Sequence, residues 1–403
     1  MKQYLPGLLF LLLTACLFLG CFREPYHPAW FTKVSVLREP IGPEEIFRLP
    51  EGEQISFFRL LEELGGLKVI FVGEAHDQRE HHHIQLRVLR GLVEKGENLA
   101  VAMEMFERSR QPVLDQWSQG VLTEEEFLKR VEWETSWGID YDLYRGILDE
   151  IRSRNLKLLG LNVDRELVRE VARSGVEGLS HDDKKRLPEM DLSDRAHRAY
   201  IASIYAKHTD GEAKSFDHFY EAQSLWDEGM AETLSDYLKS EDGRGKAILV
   251  LAGNGHVSFD FGIPKRLYRR VSLPQRTVVL TEWRKDLDGN LLFQEAPSPI
   301  ADYLWITKPA LPERKRPKIG VFLKKKGDQG ELWIERTVPE SPAEKAGLLP
   351  GDQIVAIDAK EVARLKEFQA ALLEKGWGKE VTLTILREGK KKEIRVILPP
   401  QSE

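Results

Sequence analysis

Short apolar runs alternate along this chain with longer stretches whose apolar residues recur every three or four positions. Lys68–Val72 (KVIFV), Leu99–Met103 (LAVAM), Leu156–Leu161, Ala247–Ala252 (AILVLA) and Arg276–Thr281 are short runs rich in aliphatic and β-branched residues. That is the pattern of strands covered on both faces. Between them, Glu80–Lys95, Arg110–Gln119, Thr123–Glu132, Asp142–Arg154, Asp194–Lys207 and Phe216–Leu238 carry helical spacing. The alternation predicts an α/β fold, a mostly parallel sheet flanked by helices, over residues 46–307. The segment KPALPERKRPK, residues 308–318, holds three prolines and five basic residues and reads as a stiff linker. A smaller β-rich domain is expected over residues 319–398.

One apolar run is different. Leu5 to Leu19 follows a single lysine, Lys2, and is broken only by Pro6, Gly7, Thr14 and Ala15. That is a secretory signal pattern. Both Leu13-Thr14-Ala15-Cys16 and Phe18-Leu19-Gly20-Cys21 place a small residue directly before a cysteine, as a bacterial lipobox does. The reading is a lipoprotein signal peptide at residues 1–21, lipidation at Cys16 or Cys21, and a Pro- and aromatic-rich tether at residues 22–45. The expected location is exported and lipid-anchored to the cell envelope. It leans to the outer membrane if the cell has one, since neither Leu17 nor Phe22 is the aspartate that retains lipoproteins at the inner membrane. An uncleaved single-span anchor is the competing reading of the same run.

Composition narrows the chemistry. The 59 Lys and Arg against 65 Asp and Glu leave a net charge of −6, which argues against a nucleic-acid binder. Only two cysteines exist, both in the N-terminal segment, so the folded part has neither a disulfide framework nor a thiolate zinc site. There is no H-E-x-x-H, no Gly-rich phosphate loop after a strand and no G-x-S-x-G elbow.

Ligands of such sheets bind beyond the carboxyl ends of the strands. There the chain places Gly73-Glu74-Ala75-His76-Asp77, then Glu104-Met105-Phe106-Glu107, then Asn162, then Gly253-Asn254-Gly255-His256. At about 100° per residue, the helix Glu80–Lys95 turns His81, His82 and Gln85 into its apolar arc and His83 out of it. A cluster of Glu74, His76, Glu104 and His256 suits either of two chemistries. One is a divalent metal, zinc or manganese, held by His76, His256 and Glu74 and activating water for hydrolysis. The other is a hydrogen-bonded frame around a large flat ligand. In Trp133–Tyr144, four aromatics fall within twelve residues, and Tyr141 and Tyr144 are candidate cofactor contacts. Packing between helices accounts for the same aromatics equally well.

The string GEAHDQREHHHIQ resembles the opening motif of the ChaN-like haem-binding lipoproteins of the Tiki superfamily. EMFERSRQPVLDQWSQG, LNVDREL, QSLWDEGMAETL and LAGNGHVSFDFGIPKRL resemble the same family in the same order, covering residues 69–267. The resemblance implies an exported protein that binds haem for iron acquisition, with an α/β fold and a homodimer sharing the cofactor. It points to Glu74, His76, His82, Gln85, Glu104 and His256. Related branches are metalloproteases and erythromycin esterases, so a metal-dependent hydrolase remains the alternative. Further on, ESPAEKAGLLPGDQIVAIDAKEVARLKEFQAALLEKG resembles a bacterial PDZ domain. That likeness implies a peptide or protein partner, its carboxylate held by the loop Ile319-Gly320-Val321-Phe322. Lys324–Lys326 and Lys390–Lys392 read as solvated hairpin charges.

Overall fold

The computed structural model describes residues 45–206, 215–282, 299–307, 317–326, 331–363 and 365–400. Cys16, Cys21 and most of the tether and linker lie outside the described residues. The chain divides into two compact units, Met1–Ala310 and Leu311–Glu403.

The first unit is built on one eight-stranded sheet. Its strands are β1 (Glu45–Arg48), β2 (Glu53–Ile55), β3 (Val69–Glu74), β4 (Leu99–Glu107), β5 (Lys157–Asn162), β6 (Ala247–Gly253), β7 (Gln275–Glu282) and β8 (Tyr303–Thr307). They lie in the order β2-β1-β8-β7-β3-β6-β4-β5. All pairs from β8 to β5 are parallel, while β1 pairs antiparallel with β8 and with β2. The mostly parallel sheet is as the sequence predicts. The sequence reading omits β1, β2 and β8: EIFR and EQI are too short to show a period, while YLWIT is a short apolar run like those of the other strands and is passed over.

Every residue of β3 and β6 is buried. Alternation along each strand sends its side chains to two separate cores. Ile70, Val72, Val101, Met103, Leu249 and Leu251 join one, with the helices Phe57–Leu64, Arg79–Glu94, Gln111–Ser118 and Arg145–Ser153. Val69, Phe71, Ala100, Ala102, Ile248 and Val250 join the other, with Phe216–Lys239 and Ile263–Arg270. This parity carries on past Val72 of β3 and past Met103 of β4, the last residue of β4 paired with β6. Glu74 continues the first face and Glu104 the second, so the strand ends deliver one carboxylate to each side of the sheet.

The second unit is antiparallel throughout. It comprises β9 (Val321–Lys326), β10 (Glu331–Thr337), β11 (Gln353–Ile357), β12 (Lys360–Glu361), β13 (Glu380–Arg387) and β14 (Lys390–Ile397). The order is β14-β13-β11-β10-β9, with β12 on β11. Helices Pro342–Lys345 and Leu365–Lys375 complete it, around a core that includes Ile334, Leu348, Phe368, Val381 and Leu383. Buried Asp352 takes a two-pronged grip from Arg387, Nε at 2.6 Å and Nη2 at 2.7 Å. Lys324 and Lys390–Lys392 are exposed, as expected of solvated charges.

Candidate functional site

The site forms where β3, β4 and β6 end. β3 and β6 run in register, with Glu74 beside Gly253, and the chain then turns into the short helix Asn254–Val257, which carries His256. The Gly253 N–H donates to Glu104 Oε2 at 2.7 Å. A Cβ at Gly253 would lie 2.8 Å from His76 Cε1 and 3.0 Å from His76 Nε2, so any other residue there would push the imidazole aside. Asn162, at the end of β5, donates to the Glu104 carbonyl at 3.1 Å.

On the first face, Glu74 is fully enclosed. Tyr144 donates its hydroxyl proton to Glu74 Oε1 at 2.7 Å, and His76 Nδ1 lies 2.9 Å from the same oxygen. His82 Nε2 donates to the His76 carbonyl at 3.1 Å, Gln85 donates to the Val72 carbonyl at 3.2 Å, and His81 Nδ1 accepts from the Ala75 N–H at 2.8 Å. Three residues of helix Arg79–Glu94 thus pin the strand-to-helix turn that holds His76. His81, His82 and Gln85 are buried and His83 is exposed, as the periodicity predicts. Burial lowers the pKa of His81 to about 4 and pulls that of His82 down as well, the latter against the attraction of Glu74. Glu74 Oε2 and His82 Nδ1 lie 3.4 Å apart, and neither has a hydrogen-bond partner.

On the second face, His256 lies between two carboxylates. Its Nδ1 is 2.7 Å from Asp227 Oδ1 and its Nε2 is 3.3 Å from Glu104 Oε1. Burial would lower its pKa, but Glu104 and Asp227 outweigh that and push it up to about 10. Glu104 moves the opposite way: burial would raise it, and the His256 charge leads the effects that bring it down to about 2. Asp227 is held well below the usual carboxylate range, burial again being outweighed by His256 and His197. Behind it, His197 Nε2 lies 3.4 Å from Asp227 Oδ2, and Arg266 Nη2 reaches His197 Nδ1 at 3.1 Å. Arg266 can only donate, which places His197 Nδ1 in the acceptor role. A neighbouring knot joins Glu228 to Arg266, Arg269 and Arg270. Asp194 caps the helix carrying His197, accepting from the Ala196 and His197 N–H groups. Asp194→Ala is expected to cost about 1 kcal/mol by loss of that cap, read from urea unfolding.

His76 stands between the two halves. Its side chain keeps 35% of its surface exposed, unlike Glu74 and Glu104. Burial works to lower its pKa, but the Glu74 hydrogen bond and the charges of Glu104 and Glu74 raise it. The Trp137 ring meets the imidazole edge-on at 4.8 Å.

Glu74, His76, His82, Gln85, Glu104 and His256 are therefore gathered at one sheet end. The trio Glu74, His76 and His256 is not arranged as a metal site. Among the described residues, no group of three His, Cys, Asp or Glu side chains is placed to hold a metal ion. The physical reason is that both ring nitrogens of His256 are engaged, Nδ1 by Asp227 and Gln223 and Nε2 by Glu104, and the two carboxylates favour the protonated ring. Tyr141 and Tyr144 belong to the core with Trp133. The Tyr144 hydroxyl is spent on Glu74, and burial raises both phenols, which opposes a tyrosinate ligand. Of the aromatic stretch, Trp137 is the residue that reaches His76.

The sequence reading does not single out Asp227, His197, Arg266 or Gln223, whose amide nitrogen lies 3.1 Å from His256 Nδ1. One signal was present: Ser224, Asp227, Glu228, Ala231, Leu234 and Ser235 follow core spacing along the helix Phe216–Lys239, and all six are buried. Charged residues on the inner arc of an otherwise apolar helix mark a buried network.

Residues 60–267 match the family described as "Haem-binding uptake, Tiki superfamily, ChaN", and residues 317–398 match the PDZ domain. A solved structure of ChaN of Campylobacter jejuni, described with cofacial haem binding, superposes with a TM-score of 0.52 at 22% identity. It covers 66% of this chain and 98% of that one, a likeness of fold. The Arabidopsis thaliana protein RETICULATA-RELATED 5, chloroplastic, is 24% identical over 268 residues, 61% of this chain and 35% of its own length. A probable periplasmic serine protease of Haemophilus influenzae, do/HhoA-like, is 38% identical over 70 residues, 17% of this chain and 15% of its own. The chain thus spans about a third or less of the curated relatives it matches. With an α/β unit whose sequence fits the family model from the helix before β3 to the helix before β7, and a PDZ domain after it, the chain belongs to the ChaN family of haem-binding uptake proteins in the Tiki superfamily.

Proposed function

We propose that this protein binds haem at the end of β3, β4 and β6, that it is exported and tethered to the envelope through Cys16 or Cys21, and that it serves iron acquisition. Its PDZ domain holds a peptide or protein partner. The observation that carries the haem reading is the half-exposed imidazole of His76. Its Nδ1 lies against Glu74 Oε1, which leaves Nε2 as the ring nitrogen that could hold a ligand, and Gly253, without a Cβ, leaves room beside it. Metal-ligating histidines are characteristically fixed in this way by a carboxylate on the second nitrogen. Bound haem would supply an iron able to take a protein ligand and a flat apolar face that needs cover. Here His76 would hold the iron and Trp137 would cover part of the face. His82 and Gln85 keep the turn rigid, and Glu104 and His256 fix the charge beneath it. The unpartnered Glu74 Oε2 and His82 Nδ1 favour one more hydrogen donor between them when the site is filled.

The test is a hemin titration of the full chain, followed by absorbance. A saturable Soret band is expected, unchanged in His83→Ala, whose ring points to solvent. Absence of a saturable band in the folded protein would end the haem reading. Hydrodynamic size with and without hemin tests the homodimer.

A further inference from the structure

We infer that the PDZ domain selects chain ends carrying an acidic side chain at the next-to-last position, with a second acidic preference at the fourth position from the end. This rests on the peptide-capture reading above and adds the partner's chemistry to it.

The argument begins with β9. Among the described residues it is the last strand of its sheet, paired with β10 on one side only. An extended peptide adds to such an edge as a further strand. The turn before β9 is shaped to receive its terminus. Gly320 has φ +83°, and a Cβ there would lie 2.2 Å from Ser341 Cβ, so only glycine allows the close approach. The Gly320 carbonyl accepts from the Val338 N–H at 2.8 Å and Ile319 O from the Ala343 N–H at 2.8 Å, which ties the turn to the helix Pro342–Lys345.

Alternation then fixes which ligand residues meet which side chains. Val321 and Leu323 pack against the domain core. Phe322 and Lys324 are on the opposite face and exposed. Cross-strand register puts Arg336 of β10 beside Phe322 and Trp333 beside Lys324. The Arg336 guanidinium stands 3.3 Å from the centre of the Phe322 ring. The outer face of this edge therefore carries two cations and two aromatic rings, with Glu331 turned to the Trp333 indole, which donates to it at 3.1 Å. With its last residue opposite Val321, an antiparallel ligand places its next-to-last side chain over Phe322 and Arg336. Its third-last side chain turns inward with Leu323, and its fourth-last faces Lys324. A carboxylate at either outer position meets a cation, and a lysine there meets like charge.

The experiment measures binding of labelled hexapeptides to the full 403-residue chain in detergent by fluorescence anisotropy. The peptides end in leucine and differ only at the next-to-last residue, glutamate, alanine or lysine, with an amidated glutamate peptide as control. Glutamate is expected to bind about fivefold more tightly than lysine, with alanine between, because the pair is solvent-exposed. Amidation should abolish binding. Arg336→Glu is expected to invert the glutamate–lysine order while leaving the alanine peptide's affinity within about twofold. Equal affinity for all three free-carboxylate peptides overturns the inference and leaves peptide capture standing. Failure of every peptide to bind overturns both.

Discussion

Asp227→Ala is expected to destabilise the α/β unit by about 3–5 kcal/mol, the cost of removing one partner from a buried charge network. Asp227 is fully buried and is the only carboxylate shared by His256 and His197 among the described residues. Its loss leaves the His256 imidazolium with Glu104 alone, and His197 with Arg266 on one side and nothing on the other. Asp227→Asn keeps an acceptor for His256 but not the charge, so it should fall between wild type and alanine. Urea unfolding of the α/β unit measures this, and a change within about 0.5 kcal/mol, the range of ordinary surface substitutions, would refute the network's role.

The same network fixes a pH dependence. His256 is raised from 6.5 to about 10, so its stabilising contribution is complete below pH 6.5 and is lost as pH climbs through 10. Glu104 is lowered from 4.5 to about 2, so its contribution is complete above pH 4.5 and is lost as pH falls towards 2. Since both describe one ion pair, that pair's contribution should be flat between about pH 4.5 and 6.5 and decline on either side, while His81, lowered to about 4, adds a separate loss as pH falls below 6.5. His256→Gln should flatten the alkaline decline. An unchanged alkaline limb in that variant would show that another group is responsible.

The second large effect concerns the proposed cofactor. His76→Ala is expected to weaken hemin binding by about 100-fold or more, because it removes the imidazole proposed to hold the iron. Glu74→Gln should weaken it by about 10- to 100-fold, the usual cost of losing the carboxylate behind a metal-binding histidine. Glutamine can still accept the Nδ1 hydrogen, but it no longer polarises the ring. Tyr144→Phe removes one hydrogen bond to Glu74 and should lie closest to wild type. If His76→Ala binds hemin as tightly as wild type while Glu74→Gln does not, the iron is held by another residue and Glu74 acts through the fold alone.

Much of this was written in linear order. The sheet and its parallel strands follow from apolar runs a few residues long, because central strands have no solvated face to mark. Glu74, His76, Glu104 and His256 could be found by reading the residue after each run. His82 and Gln85 could be told from His83 by helical period, which is a local property of the backbone. The strands β1 and β2 left no trace, since three or four residues are too few to carry a period, whereas β8 is a short apolar run of the same kind as β3 that the reading passes over.

The composition and periodicity of the chain by themselves determined an α/β unit, a smaller β-rich unit, and which polar residues end up at the strand ends. The tertiary structure alone decided what those residues do to one another. Strand parity sent Glu74 to one face and Glu104 to the other, and a helix from over a hundred residues further along supplied Asp227 to hold His256 as an imidazolium. A charge's effect depends on its distance and on the exclusion of water, and neither quantity exists until the chain has folded.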